Sequence, residues 1–260
     1  MSSTPDIFSH RWDITIAFIG RKEPQLPLQY LEELIEHDET AGWSFFILSG
    51  CPPEFIMAMG RLAQLSATYE KTLRQERVIF NRLPVDSIVQ EVKTFINKND
   101  ATFHDLEVID EDLTARRDRY HCVEAWRSSI LLYVCRVFTR EQNDHGIRLI
   151  EYLARITLDH IRCIPQQSVL QKQVLLPIFL AASEADDEND RWFVRQYCRH
   201  WSITSRFHMY ETTGALLEHI WEDWNPSTKA VFWWGAKVGC GGSQHAGDKD
   251  QHMVSQLLLG

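Results

Sequence analysis

Apolar residues recur every three or four positions along most of this chain, the spacing that lines one face of an α-helix. No stretch sustains the apolar–polar alternation of a half-buried strand, and no Asn-Gly or Asp-Gly pair marks a hairpin turn. Breaks in the helical pattern are few, with 12 glycines and 9 prolines in 260 residues. A hydrophobic fraction of 44% supplies a core and argues against disorder. The length fits one large domain or two modest ones.

The individual stripes can be read off in order. Phe8, Trp12, Ile16 and Ile19 form the first, and Gly20 sits where a glycine just past a helix end belongs. Leu28, Leu31, Leu34 and Ile35 form a second, and Trp43 to Leu48 is a short apolar turn closed by Gly50. Cys51-Pro52-Pro53 restarts the chain with proline at a helix's first turn. Phe55, Met59, Leu62, Ser66, Tyr69 and Leu73 then predict one long amphipathic helix. Val85, Ile88, Val89, Val92, Phe95 and Ile96 repeat the pattern. Residues 97–112 have no period and read as a loop.

Beyond it, Tyr120, Val123, Arg127, Ile130, Val134 and Val137 form a stripe widened by Trp126 and Tyr133. Ile147, Ile150, Leu153, Ala154, Ile161 and Ile164 follow, ended by Pro165. Val174 to Ala182 is apolar on every side, as a helix buried all round would be, and Pro177 predicts a kink or the helix's first turn. Asp187 and Asp190 have the spacing of an N-cap and its N3 partner before Trp192 to Trp201. Tyr210, Thr213, Leu217, Ile220, Trp221 and Trp224 make the last stripe. These stripes predict an all-α fold of about nine helices without a sheet. Short connections predict antiparallel helical hairpins. Residues 1–235 form the expected helical domain, and 236–260 a Gly-rich mobile tail beyond Phe232-Trp233-Trp234.

Tests for chemistry mostly exclude it. Subtracting 36 acidic from 27 basic residues gives −9, a poor balance for holding phosphates. The basic cluster Arg116, Arg117 and Arg119 is interrupted by Asp118 and reads as a solvated helix start. The six cysteines are scattered singly, as reduced and mostly buried thiols of an intracellular protein would be, with no Cys-x-x-Cys pair for zinc. Cys198 and His200 are two apart, a spacing that points them away from each other on a helix, and no His-Glu-x-x-His occurs. A calcium loop begun at Asp186 would need Gly and Glu where Arg191 and Tyr197 stand. There is no Gly-x-Ser-x-Gly elbow, and Gly239 to Gly242 follow no strand. No signal sequence is visible, and the longest apolar run, Val174 to Ala182, falls short of the ~20 residues of a membrane span. The expectation is a protein without catalytic, metal or cofactor site. Its many aromatic residues are core anchors, some of which could line a pocket between helices.

Three stretches resemble a known family, the fungal-specific transcription factor domain of the second type, the regulatory region of fungal zinc-binuclear-cluster factors. Leu175-Leu176-Pro177-Ile178-Phe179-Leu180-Ala181-Ala182-Ser183-Glu184-Ala185, with Asp190-Arg191 after it, is similar to that family's leucine, proline and phenylalanine run ending in Glu-Ala. Leu217-Glu218-His219-Ile220-Trp221 is similar to its helix ending in a hydrophobic-Trp pair, and Leu48-Ser49-Gly50-Cys51-Pro52-Pro53-Glu54 to a segment before a long helix. The matched positions that would carry the motif are Pro177, Phe179, Glu184, Arg191 and Trp221, and a Glu184–Arg191 pair across the corner between two helices is expected.

The resemblance implies transcription regulation in the nucleus of a fungus, including control of a metabolic or secondary-metabolite pathway. It implies protein partners or a homodimer, and the alternative of a sterol- or metabolite-sensing helical domain. The chain departs from the family in having no six closely spaced cysteines, so direct DNA contact is not expected of it. It would then be the C-terminal part of a longer factor, a shortened gene product, or a regulator working through a partner. No ligand-binding residue can be assigned from the sequence.

Overall fold

The computed structural model describes residues 7–41, 46, 49–75, 78–96, 113–139 and 144–222, the side chains of 7–10, 34 and 36–41 excepted. Among these residues there are nine α-helices and no strand. They are α1 (Ile7–Gly20), α2 (Leu28–Ala41), α3 (Pro53–Leu73), α4 (Leu83–Thr94), α5 (Leu113–Val137), α6 (Asp144–Arg162), α7 (Leu175–Ala182), α8 (Glu188–Ser205) and α9 (His208–Glu222). A 3-10 turn at Gln171–Gln173 leads into α7. The expected loop at 97–112, the tail at 236–260, the Phe232–Trp234 cluster, Trp224 and most of Trp43 to Leu48 lie outside the described residues.

α7 is the shortest helix and the most enclosed. It touches α5, α6, α8 and α9, and every residue from Leu176 to Ala182 is buried. A helix with no polar face has no solvent side to offer, so its all-apolar sequence and its position are one fact. Burying Ile178, Phe179 and Leu180 is worth about 1.5–3 kcal/mol each. Pro177 falls in the first turn, where its missing N–H costs nothing, and the ladder begins with Ile178 N–H donating to Val174 O at 3.0 Å.

Around this centre, α5 packs on α6, α3 on α1 and α8 on α9. The α3 stripe is buried as its spacing predicts, from Phe55 through Tyr69, and only Leu73 at its end is exposed. In α1 the buried face differs from the predicted one. Ile14, Ala17, Phe18 and Ile19 are fully buried and Trp12 and Ile16 only partly, because the helix is apolar around most of its girth and its stripe is ambiguous. Phe18 stacks on Tyr133 of α5 at 3.6 Å between ring centres, and the Tyr133 hydroxyl donates to Phe18 O at 2.8 Å.

Three described positions carry left-handed backbone, Arg21, Gly50 and, just past α8, Arg206 at φ 59°. Gly20 ends α1 as a helical residue, and the residue past the helix end is Arg21, at φ 49°. Its guanidinium is held by Glu70 of α3. Gly50, at φ 66°, turns the chain into α3, and a Cβ there would lie 2.4 Å from Gln173 Oε1. Glycine is required at this position both by backbone conformation and by contact.

Candidate functional site

Of the residues picked out by resemblance, Glu184, Arg191 and Trp221 gather at the C-terminal end of α7, while Pro177 lies in its first turn and Phe179 at its middle. Phe179 is 1% exposed in the core. The Trp221 indole N–H, from α9, donates to Ala182 O at 2.8 Å, a second bond to a carbonyl at the helix end that also accepts from Ala185 N–H at 3.1 Å. Arg191, from the first turn of α8, donates from Nε to Ala185 O at 3.0 Å, and its guanidinium lies 5.5 Å from the Trp221 ring centre. Arg195 reaches the same ring at 5.0 Å. Asp187 caps α8, accepting from Asn189 N–H at 2.8 Å, while Asp190 turns to Arg162 at 2.5 Å.

Glu184 does not pair with Arg191. Its partner is Arg136, in the last turn of α5, with Nε–Oε1 at 2.8 Å and Nη2 donating to Oε2 at 3.0 Å. The two side chains are 3% and 1% exposed. The reason is positional. Glu184 lies just past α7 on its inner side, facing α5, and Arg191 is placed one turn into α8, where Ala185 O and Trp221 meet it. Two charges taken out of water must be matched, and here the guanidinium meets the carboxylate through one hydrogen bond, Nη2 to Oε2, with Nε in ion-pair contact with Oε1. The pair is a structural tie between α5 and α7.

Two recesses flank this body. One lies between α6 and the α7–α8 corner, has a volume of about 370 Å³, and is walled by Tyr152, Arg148, Arg155, Asp186 and Asp187, with Glu184 at its base. The other lies between α2, α3 and α4, has a volume of about 430 Å³, and is mostly apolar. Ile35, Phe55, Met57, Ala58, Val92 and Phe95 line it, and Glu32, Glu54, Glu91 and Arg61 edge it. Arg61 bridges to Glu91.

The floor of this groove is fixed from behind by Arg127 of α5. Its Nη2 donates to Phe95 O at 2.8 Å and its Nη1 to Lys93 O at 3.1 Å and to Val92 O, so it closes the open carbonyls at the end of α4. Its guanidinium lies 5.6 Å from the Phe55 ring centre and 5.9 Å from that of Phe95, within the reach of a cation–π contact. Glu124 holds its Nε at 3.0 Å. The two rings stand 4.8 Å apart.

A second polar contact ties α5 to α6. His121 and His160 place their Nδ1 atoms 2.9 Å apart, with ring centres 5.2 Å apart. That separation is the nitrogen distance plus one ring radius on each side, so the nitrogens point at each other and share one proton in a hydrogen bond. Burial holds both imidazoles below the ordinary range, with Arg117 adding to the effect on His121 and His121 itself to that on His160.

Three of the thiols are quiet, while Cys135 is half-buried and Cys163 is exposed. Cys51, Cys122 and Cys198 are buried, and burial pushes Cys51 well up and Cys122 and Cys198 up to about 12, so they stay protonated and unreactive. Among the described residues no three His, Cys, Asp or Glu side chains converge as a metal site, and no helix is long and apolar enough to cross a membrane.

Sequence reasoning did not single out Arg136, the groove or the histidine pair. A signal was present for the groove, since Arg127 interrupts an otherwise apolar stripe of α5. Arg136 carries a similar signal, three residues after Tyr133 and one before Val137 on the buried side of the same helix.

Residues 8–240 match the sequence profile of a family described as the fungal specific transcription factor domain. No curated protein and no solved structure matches the chain.

Proposed function

The chain belongs to the fungal specific transcription factor domain family, whose role is transcription regulation in fungi, and we propose that it acts in the nucleus as a regulatory module that works by binding a protein partner rather than by contacting DNA. The observation that carries this reading is the groove between α2, α3 and α4. Its apolar walls, Ile35, Met57 and Phe95, stand half-exposed over a buried floor of Phe55, Ala58 and Val92, which Arg127 holds in shape and which is so formed before anything binds. The formal charge of −9 further disfavours contact with phosphates. The genes controlled would be metabolic, secondary metabolism included, as the family resemblance suggests.

Fusing the chain to an unrelated DNA-binding domain in a fungal reporter strain tests this. Reporter output should change several-fold, and the purified chain alone should leave duplex DNA unshifted at physiological salt. An inert fusion, or a chain that shifts DNA by itself, would reject the reading. Transcript profiling after deletion tests the choice of metabolic genes. An unchanged set of metabolic transcripts would remove that part alone.

A second reading, sensing of a sterol or metabolite, is favoured by the size of the groove, since about 430 Å³ lies within the ~300–1,000 Å³ of small-molecule sites. A compound that binds only the folded state raises the melting temperature. A sterol and metabolite panel that leaves the melting temperature unmoved would remove this alternative.

A further inference from the structure

We infer that the groove between α2, α3 and α4 receives a basic amphipathic helix from a partner protein, an inference that rests on the binding reading above and names the chemistry of the partner. The floor supplies the first half of the recognition. Phe55, Ala58 and Val92 are buried, and Ile35, Met57 and Phe95 are half-buried walls, so the apolar strip is shared among three helices. A fourth helix laid along such a trough would complete the packing with side chains at i, i+3, i+4 and i+7. Met57 is an unbranched, adaptable wall, suited to accepting side chains of differing shape.

The rim supplies the second half. Of its charged residues, Arg61 and Glu91 neutralise each other, Nη1 donating to Glu91 Oε1 at 3.3 Å. Glu32 and Glu54 are exposed and have no cationic partner among the described residues. They leave two negative charges over an apolar floor. The α2 wall supplies nothing to offset them, as Leu28–Ala41 holds no Lys or Arg. An apolar helix without charge would leave these carboxylates crowded and unmatched. Lysines flanking an apolar stripe would bury their stems against the strip and bring their ammonium groups to the rim.

Two helical peptides of about 18 residues, long enough to hold a helix, test the inference by fluorescence anisotropy. One carries leucines at i, i+3, i+4 and i+7 with lysines elsewhere. Its twin keeps the same leucines and replaces the lysines with glutamates. The Leu/Lys peptide should bind and weaken with added salt, and the twin should bind at least about tenfold more weakly, or ~1.4 kcal/mol. Glu32→Lys with Glu54→Lys should cost the Leu/Lys peptide a similar factor, and Met57→Ala a smaller, several-fold one. Glu211→Lys with Glu222→Lys makes the same charge change on exposed positions of α9 and should leave binding nearly unchanged.

Circular dichroism and melting curves confirm that each variant is folded. Equal binding of the two peptides, no binding of the Leu/Lys peptide, or an equal loss in the α9 control would overturn the inference. An active reporter fusion beside a failed peptide assay would remove only the partner assignment. An inert fusion would remove the binding reading beneath it.

Discussion

The recess over Glu184 and the groove between α2, α3 and α4 are close in size, about 370 and 430 Å³, and both are edged by carboxylates. They differ in what the protein has done with those charges. At the α7 end the buried acid has its own arginine, the helix end has its own indole, and Arg191 and Arg195 stand over that indole's ring. In the groove the arginine lies behind the floor, committed to the carbonyls of α4, and Glu32 and Glu54 are left facing solvent. An arrangement whose polar groups are satisfied internally is a fastening. One that leaves charge unmatched above an apolar strip has affinity left for something outside.

The largest effect expected from breaking this contrast is at Glu184. Glu184→Ala removes the carboxylate that faces the buried Arg136 guanidinium, at a cost of about 3–5 kcal/mol. Chemical denaturation measures it directly. Replacing both partners by apolar residues, Arg136→Met with Glu184→Leu, should recover most of that loss, since no charge then remains to be desolvated. Arg191→Ala should cost much less, because it removes one bond to Ala185 O and a ring contact on a half-buried side chain. If Arg191→Ala proved as damaging as Glu184→Ala, the assignment of Arg136 as the partner of Glu184 would be wrong.

On the groove side, Arg127→Ala should cost about 2 kcal/mol, in the range of bonds made by a charged donor. It should also loosen Phe55 against Phe95, so binding of the Leu/Lys peptide should weaken along with stability. Arg127→Lys is informative beside it, since a single ammonium cannot reproduce the fork over three carbonyls. Equal stability of Arg127→Ala and the unaltered chain, by melting, would show that the floor is held by packing alone.

How much of this was legible in the sequence depends on how local the cause is. The enclosure of α7 was readable because a helix with no polar face can go only inside, and the Asp187 cap because its donor, Asn189 N–H, lies two residues away. The long stripe of α3 was readable for the same reason. The partner of Glu184 was not, because Arg136 is 48 residues earlier and no local spacing joins them. The resemblance directed attention to Arg191, the nearest arginine in the motif, which the fold uses at Trp221 instead. The groove was illegible in another way. It is made by the spacing of three helices, and periodicity reports which face of a helix is apolar but not how far away its neighbours stand. In α1 periodicity itself failed, for a helix apolar around most of its girth has no single stripe to find.

A smaller effect sharpens the picture of the α7 end. Trp221→Phe keeps an aromatic ring under Arg191 and Arg195 and removes the N–H that reaches Ala182 O at 2.8 Å. The expected loss is about 1 kcal/mol, that of one buried bond. A loss as large as that of Glu184→Ala would mean that the indole's shape, and not its bond, is what holds the helix end.

The smallest effect concerns the tie between α5 and α6, the helices that carry Arg136 and one wall of the polar recess. The His121–His160 hydrogen bond needs one ring to donate and the other to accept, so it is lost when both rings are protonated. Both rings titrate lower in the folded chain than in the unfolded one, chiefly through burial. On acidification the unfolded chain therefore takes up protons first. The contribution of the pair is complete above the ordinary histidine range, near pH 6.5, and declines as the pH falls through the lower values of the folded state. Asp118 and Glu124 on α5 and Asp159 on α6 oppose the decline, and Arg117 adds to it. Because both rings are partly solvated, the change should stay below about 1 kcal/mol. Other histidines titrate in the same window, so the readout is a difference. His160→Gln should melt with a flatter dependence on pH between about 7.5 and 5.5 than the unaltered chain. Parallel curves for the two proteins would mean that the pair adds nothing that depends on its protonation.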